Sequence, residues 1–294
     1  MNDIKVKEEF SPYIFSFPHS GQMLTREMEF QLTPEAFKFL PNVDWHLEEL
    51  YGFLEKYKVS TISTPHSRYV VDVNRPHDAE KFGNYRRSLV YSTSTWDEKI
   101  YTVPLSSEEI ERRIKRYYIP YHEELEALIT KKVQQFGKVY LIDIHSFMGP
   151  LTEDVCLGNR NNNSTLSTEF IDQCYNAFES EGFKTIKNKV FIGGYITKKY
   201  AIKNVVETLQ IELRYTNYIE ADELDVRKPP RLDSNLFYET SFRLEKVMEK
   251  IGIEKKDHNQ VNLVVEKSNI WIKRAFILLF IVALILAFFE GNVS

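Results

Sequence analysis

VYLIDIHSFMGP, running from Val139 to Pro150, begins as an apolar strand and ends with Asp143, His145 and Ser146 at its mouth. A run this rich in Val, Leu and Ile, set between Gly137 and Gly149-Pro150, reads as a strand covered on both faces. Sheets of that kind are flanked by helices, and the neighbouring sequence supplies them. SSEEIERRIKRYYIPYHEELEALITKKVQQFG (106–137) opens on a Ser cap with Glu in its first turn and carries apolar residues at helical spacing. It stops at Gly137, and Pro120 is expected to kink or divide it. LSTEFIDQCYNAFESEG (166–182) and SNLFYETSFRLEKVMEKIG (234–252) read as further helices, as does the segment from Asp44 to Tyr51 with Asp44 as a plausible N-cap. PYIFSFP (12–18), VSTISTPHSRYVVDVN (59–74) and TLQIELRYTNYI (208–219) read as strands from their β-branched density. Strands alternating with helices predict an α/β fold, a sheet with helices on both faces.

Composition bounds the function classes. The 294 residues are 43% hydrophobic and 14% aromatic, enough for a sizeable core. A net charge of −4 with interspersed basic and acidic residues gives no reason to expect nucleic acid. Cys156 and Cys174 lack metal-ligand spacing and read as reduced thiols of a cytosolic protein. After Lys273-Arg274, the uninterrupted apolar run from Ala275 to Phe289 is close to the roughly 17–25 residues needed to cross a bilayer and shows no polar stripe. It predicts a C-terminal hydrophobic helix anchoring a cytoplasmic catalytic domain to a membrane. The expected organisation is a catalytic domain over 1–252, a polar linker over 253–269 and a transmembrane tail anchor over 270–290.

In open α/β sheets ligands gather at the carboxyl ends of the strands. Those ends here carry Pro18-His19-Ser20-Gly21, Asp72 to Pro76, Asp143 to Ser146, and Gln210-Ile211-Glu212. Two histidines with a carboxylate form a common catalytic zinc site with one position left for water. His145 is the stronger ligand candidate and His19 the next; Asp143 alternates onto the face of His145 and could orient its imidazole. Glu212 is the candidate base, and Arg68 or Arg75 would stabilise an oxyanion or clamp a carboxylate. His46, His66 and His122 have weaker claims. A serine nucleophile lacks its G-x-S-x-G elbow, and no glycine-rich phosphate cradle is present.

Phe17 to Gly21, Val43-Asp44-Trp45-His46, Ser67 to Pro76, Tyr121-His122, Leu141 to Ser146, Gly193 to Thr197 and Leu209 to Leu213 occur in an order and spacing that resemble the N-formylglutamate amidohydrolase family over roughly residues 12–220. The resemblance implies a phosphorylase/hydrolase-like mixed sheet, related to zinc carboxypeptidases and aspartoacylases. It also implies hydrolysis of N-formylglutamate, a small carboxylate-bearing amide, with one Zn2+ per chain. Carried over, it makes His19 and His145 metal ligands and Glu212 the catalytic glutamate. Asn74 and Arg75 resemble the pair that holds a substrate carboxylate in the wider superfamily; Tyr195 is expected as a further substrate contact and Arg68 as the catalytic arginine. The relatives' H-x-x-E pattern would put the third ligand at Gln22; Asp44 is the expected replacement, with His46 as the other alternative. Two other readings compete, a carboxypeptidase-like peptidase and a membrane-tethered binding protein of the same fold without catalysis.

Overall fold

Val139, Leu141, Ile142 and Ile144 have no exposed surface, and burial of each such side chain contributes roughly 1.5–3 kcal/mol. They lie on the middle strand of a mixed sheet. The computed structural model describes residues 3–162, 168–224, 227–232 and 234–256. The end of the expected linker and the whole of the expected anchor lie outside the described residues. Among the described residues no helix is long and apolar enough to cross a membrane. Met1–Ile253 form one compact unit, which carries the sheet and the helices around it.

The strands are β1 (Lys5–Lys7), β2 (Tyr13–Phe17), β3 (Ser60–Ser63), β4 (Glu80–Gly83), β5 (Ser88–Tyr91), β6 (Val139–Phe147), β7 (Val155–Gly158), β8 (Thr185–Lys187) and β9 (Val206–Arg214). The main sheet has the order β1-β3-β2-β6-β9-β7-β8, and β4 and β5 form a small separate pair. β3, β2, β6 and β9 are parallel, whereas β1 pairs antiparallel with β3 and β7 antiparallel with β9; β8 runs parallel to β7. The carboxyl ends of β2, β6 and β9 therefore open on one edge. β6 and β9 are buried almost throughout, so both of their faces are covered. Register sets His145 beside Glu212, and Ser16 beside Asp143.

The long helical segment behaves as its sequence dictates. Ser106 Oγ accepts the Glu109 amide at 3.2 Å, and the chain stays helical to Phe136. Pro120 is accommodated by one π turn, Ile114–Tyr118, immediately ahead of it. Gly137, at φ 71°, supplies the left-handed stop.

Two expectations need correction. Residues 59–74 pair in the sheet only over Ser60–Ser63; from Ser67 onward the chain is a buried loop. Side chains there take over the backbone hydrogen bonds, Ser67 Oγ accepting from the Tyr69 amide at 3.3 Å and Asp72 Oδ1 from the Asn74 amide at 2.8 Å. Such local bonds compete with a strand ladder, so the β-branched density of Val70, Val71 and Val73 serves loop packing instead. Asp44 is not an N-cap: that position before the Leu47–Leu50 turn is His46, in left-handed conformation and without a side-chain capping bond. Asp44 is turned inward.

Candidate active site and metal centre

A cavity of about 600 Å³ opens at the carboxyl ends of β2, β6 and β9. Nearly every residue expected at the site lines it: His19, Asp44, Arg68, Asn74, Arg75, His145, Tyr195 and Glu212. Asp143 lies just beneath, on β6.

Each histidine is held from behind. His19 Nε2 meets Asp72 Oδ1 at 2.6 Å, and His145 Nε2 meets Asp143 Oδ2 at 2.9 Å. Asp143 is held in turn by Ser16 Oγ, 2.8 Å from its Oδ1. With each Nε2 engaged by a carboxylate, both rings turn Nδ1 toward the same space. His145 Nδ1 is 3.0 Å from Asp44 Oδ2. His19 Nδ1 is 3.8 Å from the same oxygen, beyond hydrogen-bond reach, and has no hydrogen-bond partner although buried.

Donor atoms of His19, Asp44 and His145 lie within 4.8 Å of one another. A buried, unpartnered ring nitrogen aimed at a carboxylate and a second ring nitrogen is what a cation site requires, and a carboxylate behind each imidazole is the usual means of fixing its tautomer. The residues fit a metal. Of the three alternatives for the third ligand, only Asp44 is in reach: Gln22 is exposed, and His46 Nε2 is 2.8 Å from the Pro230 carbonyl. The loop carrying Asp44 is tied to the first ligand by its own amide, which donates to the His19 carbonyl at 3.1 Å. Gly21 lets the loop after β2 lie against Thr64-Pro65, where a Cβ would come within 2.2 Å of the Thr64 carbonyl oxygen.

Electrostatics divides the site. Burial works against the charged form of His145, but Asp143 and Asp44 outweigh it and raise its pKa well above the ordinary range. Burial lowers that of His19, reinforced by Arg68. Burial also opposes ionisation of Asp72, yet His19 and Arg68 outweigh it and keep that carboxyl well below the usual range. Glu212 is pushed up to about 8 by burial. Gln210 Nε2 donates to it at 2.6 Å, and Gln210 Oε1 in turn accepts the Gly194 amide.

Arg68 Nη2 donates to Asp72 Oδ2 at 3.0 Å, and its guanidinium carbon stands 4.8 Å over the Tyr85 ring. Arg75 Nε is 3.4 Å from the same Asp72 oxygen. Asn74 Oδ1 accepts the Ile196 amide at 2.8 Å, and Gly194 lies so close that a Cβ there would be 2.6 Å from Asn74 Nδ2. Tyr195 begins a short helix, Tyr195–Lys199, at the rim. The weaker histidines stand apart from this cluster. His122 bonds the Tyr200 hydroxyl and the Val73 carbonyl, its pKa pushed down to about 3 by burial and Lys199, and His66 packs on Tyr117. Cys156 and Cys174 are free and buried.

Sequence reasoning placed Asp72 and Gln210 among the strand-end residues without giving either a role, and missed Tyr91 and Arg160 altogether. Asp72 stands four residues after Arg68 and three before Arg75, and Gln210 alternates with Glu212 on one strand face; those spacings were the available signals. Tyr91, whose hydroxyl meets Asp72, arrives on β5, a strand with no clear signature.

Residues 11–219 match the family described as N-formylglutamate amidohydrolase. The N-formylglutamate deformylase of Pseudomonas putida is 30% identical over 227 residues, covering 72% of this chain and 83% of that protein. Its counterpart from Pseudomonas aeruginosa is 31% identical over 224 residues, covering 71% and 82%. The crystal structure of an N-formylglutamate amidohydrolase from Ralstonia eutropha superposes with a TM-score of 0.67 at 21% identity, covering 85% of this chain and 98% of that one. A cavity with paired histidines, a third carboxylate donor and a buried glutamate thus stands in a chain that belongs to the N-formylglutamate amidohydrolase family and is, with it, an amidohydrolase enzyme.

Proposed function

We propose that this enzyme hydrolyses N-formylglutamate, or a closely similar N-acyl amino acid, with one zinc ion held by His19, Asp44 and His145. The observation that carries the proposal is the inward-facing pair of Nδ1 atoms, one of them buried without a partner, beside the protonatable Glu212. When bound, the ion polarises the scissile carbonyl and lowers the pKa of water. The protein supplies the rest. Asp72 and Asp143 hold the two imidazoles with Nδ1 free for ligation. Glu212 takes a proton from the attacking water and returns it to the amide nitrogen as the C–N bond breaks, so that formate and the free amino acid leave. Arg68, charged and braced by Asp72 and Tyr91, donates to the oxygen that gains charge. Asn74 and Arg75 hold the substrate carboxylate at the Tyr195 rim.

The test is release of formate from N-formyl-L-glutamate by zinc-loaded full-length protein, with His145→Ala and short peptides as comparisons. Turnover that survives His145→Ala, or cleavage of peptides but not of the formyl amino acid, would refute the reading.

The division into a catalytic domain (1–252), a linker (253–269) and a membrane anchor (270–290) is proposed from the apolar run Ala275 to Phe289 and the preceding Lys273-Arg274. Full-length protein that stays in the aqueous phase of a detergent partition would refute the anchor.

A further inference from the structure

Two cations at the cavity have no role in the chemistry above. Arg160 and Lys198 both line it. Arg68 and Arg75 share a single carboxylate, Asp72, which leaves them one positive charge for one substrate carboxylate. Arg160 and Lys198 form no ion pair with an acid among the described residues; the contact made by the Arg160 guanidinium is Nη1 to the Gly193 carbonyl at 3.1 Å. Two uncompensated cations facing a cavity favour an anion there, and a guanidinium suits a carboxylate in particular.

The backbone around Arg160 is built to present it. Arg160, Asn161 and Asn162 are all left-handed, at φ 58°, 55° and 68°, a conformation costly for non-glycine residues that persists only where surroundings enforce it. The enforcement comes from two asparagines. Asn188 Oδ1 accepts the amides of Asn159 at 2.9 Å and Asn161 at 3.2 Å, and Asn159 Oδ1 accepts the Asn162 amide at 3.0 Å and Asn188 Nδ2 at 2.7 Å. The Arg160 amide donates to the Ile192 carbonyl at 2.6 Å, which ties the loop to the Gly193-Gly194 wall. Gly193, at φ 109°, leaves room for the arginine stem: a Cβ there would stand 3.2 Å from Arg160 Cδ.

We propose that Arg160, backed by Lys198, receives a second carboxylate on the substrate, so that the enzyme selects N-acyl amino acids with an acidic side chain. The inference rests on the hydrolase reading for the position of the first carboxylate, but its test does not require turnover. Binding of L-glutamate and of L-glutamine, which differ by that one charge, is measured by calorimetry on the full-length zinc-loaded wild type, Arg160→Met and Lys198→Met. The wild type is expected to prefer glutamate, and Arg160→Met to lower that preference by on the order of 30-fold or more. Lys198→Met, an exposed change that threatens no packing, moves the preference the same way by a smaller factor. A ratio of affinities is insensitive to damage that weakens both ligands alike. A wild type without preference, or an Arg160→Met preference within about threefold of wild type, overturns the subsite. Formate release by the wild type is scored separately: none, alongside an Arg160-dependent preference, refutes the deformylase reading and leaves the subsite standing.

Discussion

Glu212→Gln tests the base in a way that separates chemistry from structure. Glu212 is 6% exposed, and burial raises its pKa from the ordinary 4.5 to about 8 in the metal-free protein. The folded-state value lies above the unfolded one, so the neutral form favours folding. That contribution is complete below about pH 4.5 and is lost as pH rises through about 8, because the folded chain keeps a proton that the unfolded chain releases. At about 1.4 kcal/mol per pH unit, the gap amounts to a loss of about 5 kcal/mol across the window, an order-of-magnitude figure. Glutamine does not titrate. Urea unfolding of chelator-treated wild type and Glu212→Gln, from about pH 5 to about pH 8.5, should give a stability difference that moves against the wild type as pH rises. The zinc-loaded variant should keep its metal while kcat falls about 10²- to 10⁴-fold. A difference curve flat in pH would refute the buried, neutral glutamic acid. Near-wild-type turnover would remove Glu212 from the reaction.

Three other outcomes follow from the same geometry. Asp143→Asn keeps all three donors but weakens the hold on His145 Nε2, and should lower zinc affinity about 10- to 100-fold in a chelator competition; unchanged affinity would remove Asp143 from the site. His145 is held protonated by Asp143 and Asp44, and Glu212 is neutral below about 8, so zinc uptake at neutral pH should release about two protons. Calorimetry in buffers of different ionisation enthalpy reads that number, and heats independent of buffer would contradict it. Gly194→Ala would put a Cβ 2.6 Å from Asn74 Nδ2, and should cost about 1–3 kcal/mol through displacement of Asn74. That cost appears as a raised KM for N-formylglutamate or a lowered Tm; neither change would mean that the close approach constrains nothing.

His19, His145 and Glu212 were legible because each ends or continues an apolar strand, and parallel strands must deliver their carboxyl ends to one edge. Asp44 was only half legible. In sequence a carboxylate before a short helix looks like a cap, and only the left-handed turn at His46 frees it to face His19. Residues 64–74 were misread as strand because β-branched residues pack equally well in a buried loop once side chains satisfy its backbone. Arg160 could not be found at all. Its position depends on Asn188, 28 residues further along, and neither residue has a local pattern that signals the pairing.

Asp72 explains why so much of the site depends on a loop. One carboxylate with no exposed surface meets His19 Nε2, the Asn74 amide and Arg68 Nη2, approaches Arg75 Nε, and takes the hydroxyl of Tyr91. In the proposed mechanism those partners serve three separate requirements: an oriented metal ligand, a donor for the developing oxyanion, and a clamp for the substrate carboxylate. A buried anion is costly unless it is paired and hydrogen-bonded, and with five partners this one is saturated. In that mechanism a substrate carboxylate that drew Arg75 away would leave Asp72 with Arg68 and His19 as its remaining charged partners. Substrate binding at one wall would then be linked to the ligand and the oxyanion donor at the other through a single buried charge.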